Sequence, residues 1–270
     1  MSVLETQKLT RAYGSFLAVD ALDLTVEAGE IFGLLGPNGA GKSTAIKMLT
    51  TLLDPTSGEA TLGGFNLRKQ PNEIRKIIGY VPQMLSVDGT LSGRENLMLF
   101  AKLYDIPWHE CGKRVEEALD FMGLQEAADK RVKTFSGGMI RRLEIAQSMM
   151  HHPKVLFLDE PTVGLDPMAR KTVWGHIVEL KNHYGTTIFL TTHLMDEADR
   201  LCDRLGFLSR GKLVALDSPE NLKGTLKLLG KEDTTLEDVF IHYTADTLSA
   251  SAAKNYRQIS QERKTAKRMG

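Results

Sequence analysis

Nine residues, Gly36-Pro37-Asn38-Gly39-Ala40-Gly41-Lys42-Ser43-Thr44, constrain the fold of this chain more than any other stretch. They match G-x-x-x-x-G-K-[ST], the phosphate-binding P-loop. The apolar run Ile31-Phe32-Gly33-Leu34-Leu35 before them reads as a buried strand, and Ala45-Ile46-Lys47-Met48-Leu49 after them as the start of a helix. Strand, glycine loop and helix in that order give the match a physical meaning. Glycine permits the tight turn that aims successive N–H groups at phosphate oxygens, and the helix N-terminus adds partial positive charge. In such a loop Lys42 reaches the β- and γ-phosphates, and the Ser43 hydroxyl is a ligand for Mg²⁺. The loop says nucleotide; it does not say what the nucleotide is for.

Apolar alternation in Val3 to Leu9 and again in Leu22-Asp23-Leu24-Thr25-Val26 predicts a small antiparallel sheet ahead of the loop. Tyr13 falls in the connection, either as a flat ring on which a base can stack or as a turn residue half-buried on the sheet. Glu59-Ala60-Thr61-Leu62 with Gly63-Gly64 suggests a hairpin, and Ile77-Ile78-Gly79-Tyr80-Val81 a strand that stops at Pro82-Gln83. From about 92 to 151 helical spacing takes over. Ser92-Gly93-Arg94-Glu95 has capping-box spacing, and Leu97, Phe100, Ala101 and Tyr104 share one helix face. A second helix spans Glu110 to Met122, and a third begins after Ser136-Gly137-Gly138. The core resumes at Val155-Leu156-Phe157-Leu158, apolar enough for a strand buried on both faces. Helical spacing from Thr172 to His183, a strand at 187–192, a helix from Met195 to Cys202 and a hairpin turning at Gly211 follow.

The fold expected is α/β of the P-loop NTPase type: a doubly wound, mainly parallel sheet with an N-terminal antiparallel β subdomain and an inserted α-helical subdomain. It should occupy residues 1–217, with the helical subdomain at about 86–152. Residues 218–243 form a C-terminal extension with a short helix at Leu236–Phe240, and 244–270 a basic tail behind the small-residue linker Leu248–Ala253. The last seventeen residues hold six Lys or Arg against one Glu, which suits either a solvated tail or contact with an anionic membrane.

Lys plus Arg equals Asp plus Glu at 34 each, so nothing draws the whole chain to nucleic acid, and none is expected as a partner. Cys111 and Cys202 lie far apart and near no His cluster, which argues against a disulfide framework or a zinc site. No apolar run approaches the length of a membrane helix, and the N-terminus lacks a secretory pattern. The expectation is a cytosolic protein whose membrane role, if any, goes through a partner.

Asp159-Glu160 directly follows the buried run. An acid at the end of a core strand beside a P-loop is where a Mg²⁺ ligand belongs, so Asp159 would hold the metal through its water shell. Glu160 points differently and could polarise a water against the γ-phosphate. His193 ends the next strand at the same edge, and Gln83, able to donate and accept, ends another and could report on metal or water. His151-His152 reads as a helix end, since adjacent residues do not share a helix face. Ser136-Gly137-Gly138, at the start of a helix containing Arg141 and Arg142, is a second anion-binding device. Two phosphate-binding ends with one P-loop point to a head-to-tail dimer.

The order of Gly36–Thr44, Gln83, Ser136-Gly137-Gly138, Leu158-Asp159-Glu160, Gly164-Leu165-Asp166 and His193 resembles the nucleotide-binding domain of ABC transporters, over roughly residues 2–217. The wording of Phe135–Arg142 and of Thr235-Leu236-Glu237-Asp238-Val239-Phe240 is similar to the daunorubicin-type drug-resistance ATPases of ABC-2 exporters. The resemblance implies that ATP and Mg²⁺ are bound, that Tyr13 stacks adenine, and that Glu160 is the general base. It makes His193 a switch residue and Gln83 a link from metal and water to a membrane partner. Ser136 and Gly138 would grip the γ-phosphate on a second copy or a homologous subunit, with Asp166 a cross-dimer contact. The implied partner is an ABC-2-type transmembrane permease, and the implied location the cytoplasmic side of the membrane. Met139 departs from the family's glutamine, which leaves the phosphate grip intact. An ABC-type ATPase acting on ribosomes or chromosomes would carry two such domains or a long coiled coil. A P-loop kinase would leave the second phosphate-gripping turn unexplained.

Overall fold

The computed structural model of the chain describes residues 1–227 and 233–244. Along the chain, the hairpin β1 (Ser2–Tyr13) and β2 (Phe16–Glu27) is followed by β3 (Ile31–Leu35), the P-loop and α1 (Lys42–Leu49). Next come β4 (Ser57–Leu62), β5 (Phe65–Asn66), α2 (Pro71–Ile77) and β6 (Ile78–Val81). Helices α3 (Gly93–Leu103), α4 (Trp108–Phe121) and α5 (Gly137–Met149) lie between β6 and β7 (Val155–Asp159). Then α6 (Pro167–Tyr184), β8 (Thr187–Thr192), α7 (Met195–Leu201) and the hairpin β9 (Arg204–Ser209) and β10 (Lys212–Asp217) complete the sheet. α8 (Pro219–Lys227) and α9 (Leu236–Thr244) follow.

The larger sheet has the order β10-β9-β3-β8-β7-β6. All its pairings are parallel except the terminal β9–β10 hairpin. The smaller sheet, β2-β1-β4-β5, is antiparallel throughout. Both sheets and the helical insertion are as the sequence predicts.

Strict alternation assigns the central strands to two cores. Phe32, Leu34, Phe157 and Phe189 pack with Ala45, Ile46 and Leu49 of α1 and with the antiparallel sheet. Ile31, Leu35, Leu156, Leu158, Ile188 and Leu190 pack on the other side with α5, α6, α7 and α9. Phe189 touches Phe32 and Phe157 with ring centroids 5.4 and 5.3 Å apart. Burying each such ring contributes about 1.5–3 kcal/mol. A one-residue slip of any central strand would transfer its whole set to the wrong core, so register is firmly specified.

That register positions the site. Leu35 pairs with Thr192, Asp159 with Thr191 and Val81 with Leu158. The carboxyl ends of β3, β8, β7 and β6 therefore finish along one edge, where a doubly wound sheet binds its ligand.

Four elements differ from the expectation. α6 begins at Pro167, not Thr172, because the Asp166 carboxylate accepts from Met168 N and Ala169 N at 2.9 Å and proline suits the first helical position. α2 and α8 carry too few buried residues to show a periodic face: Ile74 alone in α2, Leu222 and Leu226 in α8. The C-terminal helix runs beyond Phe240 to Thr244, whose side chain is buried. The linker Leu248–Ala253 and the basic residues after it lie outside the described residues.

Candidate functional site

The P-loop leaves β3 and wraps the N-terminus of α1. Gly41 sits at φ +109°, a backbone region side chains rarely adopt, and a Cβ there would come within 2.3 Å of the Ala18 carbonyl. β2 thus presses the loop from behind, and only glycine fits. No side chain caps α1, so its first N–H groups remain directed at the loop. By contrast, Ser136 caps α5 itself, its Oγ accepting from Met139 N at 3.3 Å.

Lys42 is almost completely buried. Its Nζ donates to Gly36 O at 2.8 Å and Pro37 O at 3.3 Å, and stands 3.2 Å from Glu160 Oε1. The other oxygen of Glu160 lies 3.4 Å from Gln83 Nε2 and 3.2 Å from His193 Nδ1. One carboxylate therefore gathers groups from the P-loop, from beyond β6 and from beyond β8. Glu160 reaches that position through a left-handed backbone, φ +51°, a strained state of about 1–3 kcal/mol that is concentrated at functional sites. Its own N–H is held by Thr191, on the carbonyl at 3.0 Å and on Oγ1 at 3.1 Å. The turn sends Glu160 away from Asp159, which faces Ser43 instead, Oδ1 to Oγ at 3.3 Å. Asp159 also accepts a 2.5 Å hydrogen bond from Thr191 Oγ1. Burial and then the Asp159 charge push the Tyr80 phenol up to about 12.

Tyr13, Phe16, Ala18, the P-loop residues Asn38, Gly39 and Gly41–Thr44, Gln83 and Glu160 line one open cleft of about 430 Å³, within the range of small-molecule sites. Tyr13 and Phe16 are both exposed, and the Arg11 guanidinium lies over the Tyr13 ring, 4.7 Å from its centroid. Ser136, Gly137 and Gly138 do not line that cleft. A more enclosed cavity, about 40 Å³ between α4, α5 and α6, is too small for a nucleotide.

The Ser136–Gly138 turn lies instead against the start of α6. A Cβ on Gly138 would sit 2.7 Å from Ala169 Cβ, and one on Gly137 3.3 Å from a Leu165 methyl. Ser136, Gly137, Asp166 and Met168 are exposed around this junction.

The structure brings together Lys42, Ser43, Gln83, Asp159, Glu160 and His193, all named from the sequence. The sequence reading passes over Thr191, which locks both acids; the signal was the Thr191-Thr192 pair closing the apolar run Ile188-Phe189-Leu190 of a buried strand. It also missed Phe16 and Glu197. Glu197 is fully buried on α7, where Oε1 accepts from Thr162 Oγ1 at 2.6 Å and Trp174 Nε1 at 2.9 Å. Burial raises its pKa despite those donors.

Residues 19–163 match the family described as ABC transporter. The chain is 46% identical over 223 residues to the daunorubicin/doxorubicin resistance ATP-binding protein DrrA of Streptomyces peucetius, covering 83% of this chain and 67% of that one. It is 40% identical over 245 residues to the probable multidrug ABC transporter ATP-binding protein YbhF of Escherichia coli (strain K12). That match covers 91% of this chain and 42% of YbhF, so the chain spans less than half of that relative. The dimeric, post-hydrolysis ATP-binding cassette MJ0796 bound to ADP and Pi is similar with a TM-score of 0.71 and 25% identity, over 80% of this chain and 98% of that one.

Proposed function

The chain belongs to the ABC transporter family as an ATP-binding ATPase, and on that premise we propose that it drives an exporter, two copies enclosing two ATP molecules against a membrane permease. The observation that carries the reading is the convergence of Lys42, Gln83 and His193 on Glu160 at the mouth of the P-loop. The names of DrrA and YbhF, a resistance protein and a probable multidrug transporter protein, support export.

Tyr13 and Phe16 would take the adenine, and the backbone of Gly36–Thr44 the phosphates. Phosphate oxygens attract Lys42 away from Glu160. The freed carboxylate takes a proton from a water, whose oxygen attacks the γ-phosphorus as the bond to the β–γ bridging oxygen breaks and ADP departs. Gln83 and His193 hold Glu160 and the γ-phosphate in register. Ser43 and Asp159, 3.3 Å apart, offer neutral and anionic oxygen donors, a set that fits Mg²⁺; Ser43 would hold the ion directly and Asp159 through water, and Gln83 would assist from the same cleft. That ion would supply neutralisation of the phosphate charge. Ser136, Gly137, Gly138 and Asp166 of a second copy would complete the γ-phosphate side, which would account for Ser136, Gly137 and Asp166 being exposed outside their own chain's cleft.

Among the described residues no helix is long and apolar enough to cross a membrane. The permease would supply that element and dock beside Gln83, where Met84 and Leu85 are 82% and 61% exposed. The subunit would then sit peripherally on the cytoplasmic side.

Glu160→Gln keeps the side chain's size but not its basicity. Turnover should fall about 10²–10⁴-fold, while ATP still binds and an ATP-dependent dimer accumulates on gel filtration. Turnover within about threefold of wild type would remove Glu160 from the role of base.

A further inference from the structure

We propose that the buried Arg141–Glu144 pair of α5 is a positioning device for Gln83, making the helix that carries the Ser136–Gly138 turn and the Gln83 loop move as one body. The proposal rests on Gln83 acting in hydrolysis, as read above.

Arg141 and Glu144 stand one helical turn apart and pair at 3.0 Å, each almost wholly buried. Their remaining contacts fall on one short segment. Arg141 donates to Pro82 O at 2.9 Å and to Gln83 O at 3.2 Å. Glu144 Oε1 accepts from Ser86 N at 2.6 Å and from Ser86 Oγ at 3.1 Å. The pair thus grips the backbone on both sides of an exposed loop, residues 82–86, that has no regular secondary structure. Arg142, next along the helix, is aimed elsewhere, at Met122 O and Gly123 O at the end of α4. Neither arginine reinforces the anion-binding end of its own helix.

Burial raises the Glu144 pKa and lowers that of Arg141, so the arrangement is costly to desolvate. Apolar residues of similar volume would fill the space at least as well. What they could not do is hold two carbonyls and an N–H of the neighbouring loop at fixed distances. The pair therefore serves position, and the side chain it positions is Gln83, whose amide meets Glu160 at 3.4 Å. Arg141 lies five residues from Ser136 on a continuous helix, so displacing the turn displaces the loop.

The test is a mutant cycle in the full-length chain, reading steady-state Mg·ATP turnover, ATP affinity and melting temperature. Arg141→Met combined with Glu144→Leu should lower turnover about tenfold with ATP affinity unchanged, and adding Gln83→Ala should cost nothing further, because both changes remove the same contribution. Losses that multiply would show a merely structural pair and overturn the proposal, as would unchanged turnover. If Gln83→Ala alone leaves turnover intact, the reading of Gln83 falls and the proposal with it. Should the double exchange fail to fold, Arg141→Lys, which keeps the charge beside Glu144 but loses the fork that spans the Pro82 and Gln83 carbonyls, must show the same non-additivity with Gln83→Ala.

Discussion

The close approach of Gly138 to Ala169 makes a quantitative prediction. Motif reading assigns this glycine to phosphate approach, yet its missing Cβ would point at a neighbour in its own chain, 2.7 Å from Ala169 Cβ. Carbon atoms sit comfortably at about 3.5–4.0 Å, so Gly138→Ala demands a separation of about 1 Å. Ala169 is a rigid methyl on the first turn of α6, so the backbone must yield. Overpacking of this kind costs about 1–3 kcal/mol, and the better helix propensity of alanine returns at most about 1 kcal/mol. The net expectation is about 1–2 kcal/mol of lost stability, read by urea unfolding. If α5 takes up the shift, the Ser136–Gly138 turn moves by about the distance that costs 10²-fold in rate when reacting groups are misplaced.

Ala169→Gly removes the offending methyl. Combined with Gly138→Ala it should restore stability, apart from about 0.5–1 kcal/mol for a glycine in α6, and bring turnover back to within about threefold of the Ala169→Gly single variant. Recovery of stability without recovery of turnover would refute the reasoning. Gly138 would then be needed for close approach of nucleotide to the turn, not for how α5 seats on α6.

Two further outcomes follow from buried polar groups. Glu197→Ala strands the Thr162 hydroxyl and the Trp174 N–H and leaves a void, so it should cost about 2–4 kcal/mol, whereas Glu197→Gln, which still accepts from both, should cost under about 1 kcal/mol; equal losses in urea unfolding would contradict this. His151 stacks on Tyr104 with centroids 3.9 Å apart and meets Ile78 O at 2.9 Å through Nε2. Burial lowers its pKa below the ordinary 6.5. The unfolded chain then binds the proton more readily, so this contribution to stability is complete above pH 6.5 and lost as pH falls through the folded value. Unfolding midpoints measured from pH 7.5 down to 5.5 should fall more steeply in wild type than in His151→Phe, and parallel curves would exclude His151 as a source.

Legibility followed sequence distance. The P-loop, the Ser92–Glu95 capping box and the alternating runs of β3, β7 and β8 were readable because their causes lie within a few residues of each other. The chain edge that gathers Gln83, Glu160 and His193 was also readable, since parallel strands buried on both faces must end together. Asp166-Pro167 was a local signal read for another role, and α6 was consequently started too late. What no local pattern carries is direction at long range. The left-handed turn of Glu160 depends on Thr191, thirty-one residues away. Arg141 reads as an anion-binding residue until β6 and its loop, some fifty-eight residues earlier, supply carbonyls to meet it.

These long-range contacts meet on α5. Its first turn seats on α6 through Gly138 and Ala169, and its second holds the Gln83 loop through Arg141 and Glu144. Thirteen residues of continuous helix cannot bend cheaply between those points. A displacement at the Ser136–Gly138 turn is therefore shared with Gln83, and through Gln83 with Glu160. In the dimer proposed above, the turn that would meet one ATP would thereby be tied by a rigid element to Glu160, the carboxylate proposed as base for the other.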